Sequence, residues 1–299
     1  DQGLMSELEL DIKGNRKLQD SFENIVNKAP LTAEEGQKLG LIDGIMYMSQ
    51  LEDKLKADGA EHFVNIKDYA AGLAPNSGNL PTVALLNLSG EIIDGESKDS
   101  LRQDDIIGSE SVVADIESIK KLPNLKAVVV RINSPGGSYN AADEIYFALK
   151  QLKEKTKVPV IVSQSAYAAS GGYFISLAGD YIFAEPMTIT GSIGVLGGKA
   201  VFGKLWKKLG VSWSRLNFGK NAGILSSIQP FSESEKKIFN KSLDDVYSDF
   251  TAKVAENRKL TQPMDKIARG RVWLGRQALD LGLIDELGST SEAIARAME

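Results

Sequence analysis

Two rhythms of apolar positions run along the chain. Short, nearly unbroken β-branched runs occur at Thr82–Leu88 (TVALLNL), Lys126–Ile132 (KAVVVRI) and Val158–Ser163 (VPVIVS), and they predict strands buried on both faces. Between and after them, Val112–Leu122, Ala141–Lys153 and the long, charged Glu233–Asn257 carry apolar residues at helical spacing. Strands alternating with helices predict an α/β fold, a mostly parallel sheet with covering helices. In such sheets ligands gather at the carboxyl ends of the strands, so the functional loops are expected after Ile132 and Ser163.

A second pattern is internal. Residues 38–45 read KLGLIDGI and residues 280–287 read DLGLIDEL, an offset of 242. At that offset Ile25 meets Ile267 and Phe22 meets Met264, and both segments continue into a polar helical stretch, Ser49–Lys56 and Ser291–Met298. The expected organisation follows from this repeat. Residues 1–72 are the tail of a first module plus a helical connection, 73–81 (LAPNSGNLP) a linker, and 82–299 a complete second module.

Composition narrows the chemistry. The 299 residues hold 35 Lys+Arg against 40 Asp+Glu, a net charge of −5, which leaves no basic excess for a nucleic-acid backbone. Zero cysteines exclude disulfides, thiolate metal sites and a Cys nucleophile. The single histidine, His62, excludes clustered His metal sites and lies before the linker, outside the second module. Neither metal nor cofactor is expected, and a base is drawn from Lys, Asp, Glu or Tyr. No run of ~18 apolar residues is present for a membrane span. The first residues, DQGLMSE, show no signal-peptide pattern and no initiator Met, so a fragment of a longer protein is expected.

The two expected loops are glycine-rich. After Ile132 comes Asn133-Ser134-Pro135-Gly136-Gly137-Ser138, a turn with permitted positive φ and exposed backbone N–H groups; a tight strand-to-helix turn would read the same. After the next strand, Ser170 stands between two alanines and two glycines. A serine nucleophile needs an uncrowded Oγ and a nearby N–H for an oxyanion, while a helix-capping serine in a close-packed contact is the plainer alternative. A third glycine-rich stretch, Thr188–Lys199, fails the phosphate-loop pattern, having Ile193 where glycine is required and Ala200 where Ser/Thr is.

The segments NSPGGS (133–138), SAYAASGGYFIS (165–176), TGSIGV (190–195) and GRVWLGRQALDLGLIDELG (270–288) resemble, in order, the signal peptide peptidase A (protease IV) family. Its long form has two tandem homologous halves, and this chain resembles the C-terminal half plus the end of the N-terminal one. The resemblance implies an oligomeric Clp protease/crotonase-like fold and a Ser/Lys-dyad peptidase. Such a peptidase sits on the extracytoplasmic side of the bacterial inner membrane and degrades hydrophobic peptides such as cleaved signal peptides. It makes Ser170 the nucleophile and assigns the oxyanion and substrate strand to Gly136, Gly137 and Gly171.

The expected base departs from the family. Single-module members carry Gly-x-x-Lys after a strand that Val211–Phe218 resembles; here Gly219-Lys220-Asn221-Ala222 puts alanine in the lysine position. One expectation is a lysine supplied by an N-terminal half absent from this chain. Another is Lys220, two residues early, and a weaker one is Lys199. Tyr139, Tyr167, Tyr173 and Phe174 are candidates for substrate pockets or for core. A noncatalytic scaffold half and a crotonase-type acyl-CoA enzyme are the competing readings. The acyl-CoA enzyme is disfavoured by the lack of an acidic pair near the glycine loops.

Overall fold

A computed structural model describes residues 9, 12–59, 81–97 and 106–299. His62 and nearly all of the expected linker 73–81 lie outside the described residues. The chain forms two compact units, one made of Asp1–Gln50 and Leu196–Asp245, the other of Leu51–Val195 and Val246–Glu299.

The second unit is built on a sheet whose main path runs β1 (Thr82–Ser89), β4 (Leu125–Ser134), β5 (Val160–Ala169), β6 (Tyr181–Ala184) and β9 (Glu286–Leu287), all parallel. β7 (Ile189–Gly191) continues alongside β5 and pairs antiparallel with β8 (Val272–Leu274). A separate parallel pair joins β2 (Glu91–Ile93) to β3 (Ile106–Gly108). The unbroken VVV of β4 follows from its place: Val128 and Val130 face one core, Val129 the other, and all three are fully buried. On the first face lie α4 (Ser109–Lys120), α5 (Tyr139–Thr156), α6 (Gly171–Ser176) and the later part of α8 (Glu233–Arg258), contributing Ile116, Ile145, Leu149, Phe174, Phe250 and Val254. The opposite face is closed by α10 (Thr290–Met298) through Ala293 and Ala297 against Val129 and Ile161. The topology is the parallel α/β arrangement that the strand runs predict, with the ends of β4 and β5 side by side.

The first unit contains α1 (Phe22–Lys28), α2 (Ala33–Lys38), the start of α3 (Met48–Ala57), α7 (Gly203–Lys208) and the earlier part of α8. Phe22 and Ile25 of α1 are buried. Val211–Phe218 is not a strand: the segment has no regular secondary structure and is largely exposed, and among the described residues no sheet edge pairs with it.

The segments related by the offset of 242 share local geometry. α2 and α9 (Gly275–Asp280) both end on a leucine in helical conformation, Leu39 and Leu281, followed by a positive-φ glycine, Gly40 (78°) and Gly282 (74°). The next leucine closes the turn in each, Leu41 N–H to Gly36 O (2.9 Å) and Leu283 N–H to Ala278 O (2.8 Å). Each then carries an Arg–Asp pair at equivalent positions, Arg16–Asp43 and Arg258–Asp285.

Candidate active site

The site is assembled where β4 and β5 end. The β4/β5 register shifts between Ile132 and Ser134, and the Asn133 side chain fills the break by accepting the Tyr167 N–H (3.2 Å). Ser134 Oγ then accepts the Gly136 N–H (3.1 Å), which folds the chain into the Pro-Gly-Gly turn. Gly136 and Gly137 have φ of 109° and 152°. Gly136 O accepts the Ile92 N–H (2.9 Å), and Ile92 O accepts the Ser138 N–H (2.8 Å). The glycine segment thus runs parallel to β2. Because backbone groups alternate along a strand, the N–H and C=O of Gly137 itself point away from β2.

β5 is followed by Ser170, which has φ 51° and ψ −118°, a conformation that residues with a Cβ rarely adopt. It is held there by its N–H on Gly191 O (2.9 Å) and by its C=O, which accepts the Phe174 N–H (2.9 Å) and starts α6. Ser170 occupies the N-cap position of α6, yet its side chain makes no capping hydrogen bond. The close packing of the capping-serine alternative is present but its capping bond is absent, and the half-buried hydroxyl makes no hydrogen bond among the described residues.

The two loops interlock through their glycines. A Cβ on Gly136 would lie 2.7 Å from Ser170 Cβ and 2.9 Å from Gly171 N. One on Gly171 would lie 3.4 Å from Gly137 N, and one on Gly172 would lie 2.9 Å from Ser134 O. Gly136, Gly137, Gly171 and Ser170 are therefore brought together. Among the described residues, neither the Gly137 nor the Gly171 N–H has a hydrogen-bond acceptor. Two free N–H donors beside an uncapped serine, the second at a helix start, make a site for developing negative charge on oxygen.

Gly137 carries the tightest constraint, since its Cβ would sit 2.0 Å from Ile92 O and 2.7 Å from Ile92 N. Gly137→Ala is expected to part the turn from β2 and cost about 2–4 kcal/mol, read as a lower midpoint in urea unfolding. Gly198, whose Cβ would meet nothing within 4 Å, is the control, and Gly198→Ala should leave the midpoint nearly unchanged.

Tyr173 and Phe174 belong to the core: both are fully buried, and the Tyr173 hydroxyl donates to Leu283 O (2.8 Å), its phenol pushed above its ordinary pKa by burial. Tyr139 packs edge-on against Phe174, whereas Tyr167 is exposed.

The lysine candidates lie in the first unit. Lys220 is exposed, its N–H bonded to Asn27 Oδ1 (3.0 Å), and Ala222 is exposed beside it. Lys199 donates to Gly223 O (3.2 Å) and lies over the Phe231 ring. In the second unit, sequence reasoning missed Lys253, whose ammonium lies 5.2 Å from the Phe174 ring centre and contacts Asp143 (2.9 Å) and Asp249 (2.6 Å). Burial pulls its pKa down, but the bonds to Asp249 and Asp143 outweigh this and hold it above its ordinary value. A lysine held charged this way cannot accept a proton from serine. Asp249 is an i,i+4 neighbour on α8, but Asp143 lies on α5, 110 residues away, so local spacing does not announce the pair of carboxylates.

The model of peptidase family S49 matches residues 152–299. A putative protease of Synechocystis is 38% identical over 190 residues, covering 62% of this chain and 68% of that protein. The chain belongs to peptidase family S49. Longer relatives align over more of it. The chloroplastic serine protease SPPA of Arabidopsis thaliana is 33% identical over 297 residues, covering 95% of this chain and 43% of that protein. Protease 4 of Haemophilus influenzae is 35% identical over 271 residues, covering 87% and 43%. The chain thus spans less than half the length of these two relatives. The Clp protease model matches residues 103–189, which hold β4, β5 and both glycine loops, so the candidate site stands on a Clp protease-like α/β fold.

Proposed function

We propose that this chain is the serine-bearing part of a serine peptidase, with Ser170 as nucleophile and the Gly137 and Gly171 N–H groups as oxyanion donors. The observation that carries the reading is the strained, uncapped Ser170 packed against Gly136 between two free N–H donors. In the proposed reaction a neutral lysine takes the Ser170 Oγ proton as Oγ attacks a peptide carbonyl. The carbonyl oxygen, now negative, is bound by the two N–H groups; the protonated lysine then passes its proton to the leaving amine, giving an acyl-enzyme that water hydrolyses.

The lysine, on this reading, comes from a homologous N-terminal half of a longer protein. Three facts support it: Ala222 at the family's lysine position, a chain less than half as long as two of its relatives, and the shared geometry of the segments offset by 242. A fourth is α3, whose Leu51 and Leu55 fall at the positions of Ala293 and Ala297 in α10. Those alanines are 0% and 8% exposed on the sheet, whereas the leucines are 37% and 39% exposed, as expected of a helix whose own sheet lies in the other half. Substrates are proposed to be hydrophobic peptides such as cleaved signal peptides, lying extended along the free edge of the Gly137 strand. The working form is proposed to be a membrane-associated, extracytoplasmic homo-oligomer; among the described residues no helix is long and apolar enough to cross a membrane.

A fluorophosphonate probe tests the assignment. With the upstream half present, labelling is expected to map to Ser170, and the 299-residue chain alone should label far more slowly. Labelling of a different serine would overturn the nucleophile. Rapid labelling of the chain alone, abolished by Lys220→Ala, would make Lys220 the base and remove the need for a lysine from outside.

A further inference from the structure

Between Glu185 and Glu233 the chain has no acidic residue and six basic ones, Lys199, Lys204, Lys207, Lys208, Arg215 and Lys220, within a protein whose net charge is −5. The same stretch, in the first unit, leaves large apolar side chains in solvent. Phe202, Leu205, Leu209 and Trp213 are exposed, and Leu216 is 82% exposed. These two features share one element. Across α7 and its flanking residues, Phe202, Leu205 and Leu209 recur at i, i+3 and i+7 and form one stripe, while Lys204, Lys207 and Lys208 fall on the remaining arc. Trp206 and Trp213 meet edge to face at 5.8 Å beside the stripe. Among the described residues Lys204, Lys207, Lys208 and Lys220 have no ion-pair partner.

We propose that this face docks on an anionic lipid bilayer surface, with Phe202, Leu205, Leu209 and the tryptophans at the headgroup boundary and the lysines on the phosphates. A helix with Phe, Leu and Trp on one side and lysines on the other suits a membrane surface lying in its plane. Indole rings prefer that interface, and lysine stems reach from its edge to the headgroups. Charge weighs against the same face pairing with a second copy of itself, since that contact would bring Lys204, Lys207 and Lys208, without ion-pair partners among the described residues, against their own copies. The inference needs nothing from Ser170, and it gives the proposed membrane association a surface on this chain.

The test is sedimentation of the 299-residue chain with phosphatidylcholine vesicles and with vesicles that also contain phosphatidylglycerol. The expected result is binding to the anionic vesicles, weakened by salt, with a blue shift of tryptophan emission. The triple variant Lys204→Gln, Lys207→Gln, Lys208→Gln should lower that partitioning roughly a hundred-fold, at about a factor of five per lysine. Leu205→Ser with Leu209→Ser should remove the salt-resistant remainder. All five positions are exposed, and an unchanged circular dichroism melt confirms that each variant is folded. Equal affinity for both vesicle types, or undiminished binding by the lysine variant, overturns the proposal. So does concentration-dependent self-association that these substitutions dissolve while vesicle binding stays the same, which would assign the face to a second copy. Loss of fluorophosphonate labelling bears only on the Ser170 assignment and leaves this outcome untouched.

Discussion

Ser170→Gly is expected to abolish fluorophosphonate labelling and to cut peptidase activity of the assembled protease by roughly 10⁴-fold or more, while making the fold more stable. The two effects have one cause. At φ 51° and ψ −118°, a side chain at position 170 costs on the order of 1–3 kcal/mol that glycine does not incur. Glycine returns part of that gain through the greater entropy of its unfolded chain, leaving a net stabilisation of about 1 kcal/mol. For a chain of 299 residues that corresponds to a rise in melting temperature of about 1.5–2 °C. Ser170→Ala keeps the Cβ and the strain, so it should lose activity equally but gain no stability. Were the alanine and glycine variants to melt together, the positive φ would not be a stored cost. The geometry explains why the strain persists: the Ser170 N–H is fixed by Gly191 O, its C=O starts α6, and Gly136 closes over its Cβ. Relaxing the dihedrals would break one of these and shift Ser170 away from its contact with Gly136.

How much of this can be read from residues alone depends on how far each determinant extends along the chain. The strands β4 and β5 are legible because burial on both faces demands an unbroken apolar run, and KAVVVRI and VPVIVS supply it; β1 departs from that expectation, because it ends the sheet path and alternates buried Ala84, Leu86 and Leu88 with exposed Leu85 and Asn87. Gly136 and Gly137 are legible because their positive φ and backbone contacts under 3.0 Å exclude a side chain, whereas at Gly171 an added Cβ would meet nothing closer than the Ile92 side chain at 3.1 Å. Ser170 stands out by its small neighbours, but its sequence is equally that of a capping serine, and only the missing cap bond separates the two. β2 and β3 have three residues each, too few to show a period, although the pairing of Ile92 with the glycine turn orients Gly137. The Asp143–Lys253 pair is invisible because its partners meet only through packing of α5 on α8, whereas Asp249 and Lys253 are i,i+4 neighbours on α8 itself. Val211–Phe218 misled for the opposite reason: its alternation of apolar and polar residues is that of a strand, yet no described strand lies beside it, so the pattern leaves Trp213 and Leu216 in solvent.

Arg258→Ala is expected to destabilise the second unit by about 3–5 kcal/mol, and the matching substitution at the other end of the repeat, Arg16→Ala, by no more than about 1 kcal/mol. Arg258 holds Asp285 through both terminal nitrogens (2.9 and 2.8 Å), and its Nε donates to Gly282 O (2.9 Å). Asp285 in turn accepts the Ile182 N–H (2.7 Å), which ties the β6 edge to the loop after α9. The side chains are 11% and 27% exposed, so truncating the arginine strands a half-buried carboxylate and a backbone carbonyl. Arg16 and Asp43 make the same contact at 2.7 Å, but with 36% and 88% of their side chains exposed, and water replaces either partner cheaply. Urea unfolding of the two variants measures the difference, and similar costs would show that burial does not set the value of these pairs. The comparison also tests the proposed architecture. If α3 and its preceding turn dock on the sheet of an upstream half as α10 docks here, Asp43 loses its exposure in the longer protein. The cost of Arg16→Ala there should climb toward that of Arg258→Ala. A cost that stays below about 1 kcal/mol in the longer protein would mean that the first segment, despite its matching turn and ion pair, does not pack as its counterpart does.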